Sequence, residues 1–89
     1  AQGEHSIASG TEAHAEATDS TATGYKAHAK GDNTVATGSN SLAKGSKSTA
    51  VGTGAQALKA SSSAFGDKAT ASGDNSTAIG KGTKASGGA

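Results

Sequence analysis

The chain has 89 residues, a net charge of +1, no cysteine, proline, methionine or tryptophan, and only seven leucine, isoleucine, valine or phenylalanine residues. That length allows one domain, residues 1–89, and so few large apolar groups exclude an ordinary globular core. Eight lysines interspersed with seven acids leave no basic stripe for nucleic acid, and without cysteine the fold cannot rest on disulfides.

From the N-terminus onward, glycine recurs at positions 10, 24, 38, 52, 66 and 80, always fourteen residues apart. Two residues before each stands an alanine: Ala8, Ala22, Ala36, Ala50, Ala64 and Ala78. A second alanine series runs Ala1, Ala15, Ala29, Ala43, Ala57, Ala71 and Ala85. A small hydroxyl residue opens each first run, at Ser6, Ser20, Thr34, Ser48, Ser62 and Ser76. The composition alone would suit a disordered chain, but disorder also calls for high net charge and does not hold a register. A strict period of this kind means a solenoid. About six coils fit in the chain, which begins and ends inside a repeat and reads as a fragment of a longer fibre.

Each coil carries two short alternating runs, such as Thr34 to Thr37 and Ser41 to Lys44, which close at Gly38 and Gly45. Two strands of roughly five residues and two tight turns would fill fourteen residues. Helix is disfavoured, because each glycine costs about 1 kcal/mol against alanine and no 3.6-residue apolar stripe exists. The corner glycines are expected to supply positive φ. Ala17 and Lys59 stand where other coils have glycine, so those two corners are expected to differ or to carry strain. The fold class is therefore all-β, a parallel β-roll of 14-residue coils.

Strand alternation assigns the faces. Alanines, serines and glycines fit inside a roll two strands thick, so larger residues face outward. In chain order the first strands present Ile7 and Ser9, Thr21 and Thr23, Val35 and Thr37, Thr49 and Val51, Ser63 and Phe65, Thr77 and Ile79. These positions are uncharged and hold five of the seven large aliphatic and phenylalanine residues. An apolar stripe along a rod is a docking surface. The second strands present His14 and Glu16, His28 and Lys30, Leu42 and Lys44, Gln56 and Leu58, Thr70 and Ser72, Lys84 and Ser86, a mostly polar set. Six coils spaced about 4.8 Å apart make a rod of roughly 30 Å.

Asn75-Ser76-Thr77-Ala78-Ile79-Gly80 resembles the Asn-Ser-Val-Ala-Ile-Gly signature of the YadA-like head domains of trimeric autotransporter adhesins. Lys47 to Gly52 and Ser61 to Gly66 are weaker copies, and the resemblance extends over essentially the whole chain. Four coils place Thr or Ser where the signature has valine, and three place Ser or Thr where it has isoleucine. The resemblance implies a left-handed roll with three chains side by side, at the tip of a fibre anchored in a Gram-negative outer membrane. It also implies adhesion to host extracellular matrix, collagen among its candidates, or to cell surfaces. On that reading Ile7, Val35, Val51, Phe65 and Ile79, with Thr21, Thr49 and Thr77, form the trimer interface. Host contact then falls to His14, Glu16, His28, Lys30, Lys44, Gln56 and Leu58. A membrane would be met only through an anchor outside this sequence. A purely structural spacer within the fibre is the alternative, and an ice-binding threonine ladder a remote one, since only Thr21-Ala22-Thr23 has both outward threonines.

Other chemistry finds little support in the residues. His14 and His28 lie one coil apart, but Leu42 and Gln56 continue their column, so they are expected to face solvent rather than bind a metal. His5 lies on a different run. No serine has a nucleophile-elbow context, and Gly52-Thr53-Gly54 and Gly80-Lys81-Gly82 read as corners rather than phosphate loops. No enzyme activity and no cofactor are expected.

Overall fold

The computed structural model describes residues 4–87 and is built entirely of strands and turns. Strands β1 (Ile7–Ser9), β3 (Thr21–Thr23), β5 (Val35–Thr37), β7 (Thr49–Val51), β9 (Ser63–Phe65) and β11 (Thr77–Ile79) form one parallel sheet. Strands β2 (His14–Ala15), β4 (His28–Ala29), β6 (Leu42–Ala43), β8 (Gln56–Ala57), β10 (Thr70–Ala71) and β12 (Lys84–Ala85) form the other. Every neighbouring pair is in a register of fourteen, Ile7 against Thr21 and His14 against His28. The rod measures 31 × 20 × 10 Å between Cα extremes.

Between the sheets lies a column of methyls and hydroxyls. Among the described residues thirteen alanines are buried, including Ala22, Ala36, Ala50 and Ala64 from the first sheet and Ala29, Ala43, Ala57 and Ala71 from the second. Ser20, Thr34, Ser48, Ser62 and Ser76 are buried beside them at the start of the first strands. Each of these hydroxyls except that of Ser48 donates to the carbonyl three residues back, as Ser62 does to Lys59 at 2.6 Å. The small hydroxyl thus finds a partner in a turn carbonyl, which at Lys59 and Gly73 also accepts the backbone N–H of Ser62 and Ser76.

The strands are three and two residues long rather than about five. The corners take the remainder, and they too are hydrogen-bonded from coil to coil. Asp19 N–H donates to Glu4 C=O at 2.8 Å, and Lys26 N–H donates to Thr11 C=O at 3.0 Å. Left-handed residues stand at these corners at a spacing of seven: His5, Glu12, Asp19, Lys26, Asn33, Asn40, Lys47, Gly54, Ser61, Lys68, Asn75 and Gly82. Ten of the twelve are not glycine. Each coil is therefore two similar half-turns with one left-handed residue apiece, and from Asp19 onward each of these residues is bonded to the coil before it.

That arrangement corrects the expected role of the second corner. Gly31, Gly45 and Gly73 do not have left-handed φ, and the residues two positions on carry it instead. At Ala17 and Lys59 the left-handed residues are Asp19 and Ser61, at the same relative positions as in the other coils, but the Lys59 corner does differ, lying closer to Gly45 of the coil before it than Gly45 lies to Gly31. What glycine supplies at the second corner is clearance: a Cβ on Gly45 would fall on the carbonyl of Lys59 in the next coil. At the first corner both reasons hold, as at Gly52, where φ is +129° and a Cβ would stand 2.5 Å from the Gly66 carbonyl oxygen.

Candidate functional site

No concave pocket opens among the described residues, so the surfaces available for function are the two sheet faces and the corners. On the first sheet, strand alternation leaves two outward columns. Ile7, Thr21, Val35, Thr49, Ser63 and Thr77 stack in one, and Ser9, Thr23, Thr37, Val51, Phe65 and Ile79 in the other. Val51, Phe65 and Ile79 follow one another without interruption. Ile79 is 69% exposed and Ile7 59%, Phe65 and Val35 are also exposed, and Val51 is half-buried by its neighbours. Thr21 and Thr49 are half-buried and Thr77 is exposed. The structure thus places all eight residues expected at an apolar face on the outer surface of one sheet.

The second sheet turns a different chemistry outward. Lys30, Lys44 and Gln56 are exposed, and Leu58 is half-buried. Leu42 stacks between His28 and Gln56, so the column changes from imidazole to apolar to amide along the rod. His14 and His28 lie in register on β2 and β4 with ring centroids 5.1 Å apart and planes tilted by 40°. Glu16, the next outward residue after His14, reaches across to β4. Its Oε2 lies 2.7 Å from His28 Nε2 and 3.7 Å from His14 Nδ1. The His28 N–H donates to the carboxylate, and this bond is the main reason that the Glu16 carboxyl stays below its usual range. The charges of His28, Lys30 and His14 add to the lowering, against a desolvation that raises it.

Reading along a single column missed this cluster, because Glu16 belongs to the neighbouring column and meets His28 diagonally. The available signal was the His-x-Glu spacing of His14 and Glu16 on one outward face. His5 stands apart, at a corner, with Nδ1 3.4 Å from Asp19 Oδ1. Tyr25 is a second feature that the sequence pattern did not single out. It is exposed at the corner between β3 and β4, with the Lys26 ammonium 5.1 Å from its ring centroid.

Comparison with known families identifies the repeat. The model of the YadA head domain repeat (2 copies) matches residues 1–27, 15–41, 29–55, 43–69, 57–83 and 71–87. Successive matches step by fourteen residues, the register in which the strands pair. No curated protein matches the chain significantly.

Proposed function

The chain belongs to the YadA head domain repeat family, and from that premise we propose that it is the head of a trimeric autotransporter adhesin on a bacterial outer membrane. In this reading residues 1–89 are a single head domain, and three left-handed rolls stand side by side with the first-sheet faces turned inward. The observation that carries it is the uncharged outer face of the first sheet. Val51, Phe65 and Ile79 form an unbroken ladder there, with Ile7 and Val35 in the adjoining column. A face of that kind left in water invites association, and three copies of one rod can bury it mutually.

Burial of the first sheet leaves the second sheet and the corners for host contact. His14, Glu16, His28, Lys30, Lys44, Gln56 and Leu58 form that surface in our reading. Each exposed contact is worth about 1 kcal/mol or less. A repeated surface gains its strength from many such contacts presented together, and trimerisation multiplies them. Host extracellular matrix proteins, which repeat along their own length, suit this mode, collagen among them, and so do cell surfaces. The family and the repetitive surface support a binding role, and an enzymatic one has no support in the residues.

The experiment is a binding screen of the trimer against matrix proteins and cells at low and high salt. Single alanine variants of the seven residues should weaken adhesion slightly. Replacing Lys30, Lys44, Gln56 and Leu58 together should abolish it in a trimer that still melts normally. A trimer that bound nothing, while the complete fibre adhered, would show a spacer instead. Loss of all binding from one substitution would indicate a discrete pocket and refute the distributed surface.

A further inference from the structure

The three groups at the N-terminal end of the second sheet have an arrangement found nowhere else among the described residues. The candidate ligand atoms of His14, Glu16 and His28 all lie within 4.8 Å of one another. Both imidazoles address the same carboxylate oxygen, Glu16 Oε2, but at 2.7 and 3.7 Å only His28 is close enough to hydrogen-bond it. His14 Nδ1 points at an oxygen that it does not bond. A proton can bridge one of these pairs; a cation can bridge all three.

We propose that His14, Glu16 and His28 form a binding site for a divalent transition-metal ion of the zinc class. Two imidazoles and a carboxylate are a donor set that such ions take, and hard ions such as magnesium and calcium prefer oxygen alone. Bonds of ~2.1 Å at tetrahedral angles set ligand atoms roughly 3.4 Å apart. The two contacts to Glu16 bracket that spacing, and rotation of outward side chains brings the histidine nitrogens to it. The fourth position faces solvent and would take water.

The backbone beneath the site is held without any ion. His14 N–H donates to Ala27 C=O at 2.8 Å and Glu16 N–H to Ala29 C=O at 3.0 Å, so the ladder fixes the three Cβ positions. The cluster is also unnecessary to the fold. Leu42 with Lys44, Gln56 with Leu58, Thr70 with Ser72 and Lys84 with Ser86 occupy the same positions in later coils, which stack in the same register. Its residues are therefore an addition to the repeat rather than a part of it. Lys30, above Glu16 in the next coil, is the charge opposing a cation. It is exposed and, among the described residues, makes no ion pair with Glu16, so its flexible stem can carry the ammonium away.

The test is zinc titration of the full chain in its native assembly at neutral pH, by calorimetry and by NMR of the imidazole resonances. One zinc ion per chain should bind saturably, shifting the His14 and His28 signals and leaving those of His5 in place. His14→Ala, His28→Ala and Glu16→Gln should each weaken binding about tenfold or more, with far-UV circular dichroism unchanged. His5→Ala should bind as the parent does, and calcium should not compete. The assignment is overturned by the absence of saturable binding or by affinity that survives the three substitutions. It is equally overturned by loss confined to the histidine variants, since the carboxylate would then not be a ligand. These readouts concern the ion alone and stand whether or not the head binds a host ligand.

Discussion

Replacing Gly52 by alanine measures how closely successive coils approach. The added Cβ would stand 2.5 Å from the carbonyl oxygen of Gly66 and 2.7 Å from its carbonyl carbon, on backbone with φ of +129°. Neither atom belongs to a flexible side chain, so relief requires a shift of the ladder itself. A side chain held in that region of φ costs about 1–3 kcal/mol, and forcing an extra carbon into a packed interior typically costs another 1–3 kcal/mol. A loss of about 2–6 kcal/mol is a large share of the roughly 4–13 kcal/mol that about 0.05–0.15 kcal/mol per residue gives a domain of 89 residues.

Two companion substitutions separate strain from clash. At Gly54 φ is +72° and the nearest atom to a new Cβ is Lys68 Cγ at 3.5 Å, so Gly54→Ala should cost only the left-handed penalty of about 1–2 kcal/mol. A Cβ on Gly87 meets nothing within 4 Å, and Gly87→Ala should be close to neutral. Urea denaturation followed by far-UV circular dichroism, at one fixed chain concentration, gives the three values. The expected order of loss is Gly52, then Gly54, then Gly87. If Gly52→Ala were no more damaging than Gly54→Ala, the coils would not stack as closely as described.

Three further outcomes follow from the interior and the corners. Ala50→Leu should cost at least about 1–3 kcal/mol by overpacking a buried site, whereas Gln56→Leu on the outer face should be nearly neutral in the same denaturation assay; equal effects would mean that the faces are reversed. Ser62→Ala should lose about 1 kcal/mol with its bond to Lys59, while Ser48→Ala should be neutral or stabilising, because the buried Ser48 Oγ has no partner to lose; a larger loss at Ser48 would refute this difference. Lys47→Gly should raise stability by up to about 1 kcal/mol, since left-handed strain of about 1–2 kcal/mol is relieved against a smaller gain in unfolded-chain entropy. A drop in the urea midpoint on that substitution would show that Lys47 is not strained.

Much of the fold is legible in the sequence because the repeat is short enough for each column to be read directly. Ala50 and Ala57 recur at fixed positions, so their burial follows from strand alternation, and so does the outward placement of Thr49 and Gln56. The corners are less legible. Left-handed backbone falls on Lys26, Lys47 and Lys68 as well as on asparagines, and each of these N–H groups donates to a corner carbonyl of the coil before it. Residue preference points instead to Gly31 and Gly45, whose purpose is clearance. The site divides in the same way. Which residues face outward can be read from alternation, but the contact of Glu16 with His28 runs diagonally between columns and depends on side-chain reach.

The most direct measurement is the solution mass of the folded chain, because host contact is assigned to the second sheet on the premise that the first is covered. Light scattering should give three times the 8.3 kDa chain mass. Phe65→Lys combined with Ile79→Lys should break that assembly, while Lys30→Ala combined with Lys44→Ala should leave it intact. A folded, stable monomer, with Ile7, Val35, Val51, Phe65 and Ile79 in water, would contradict the proposed head.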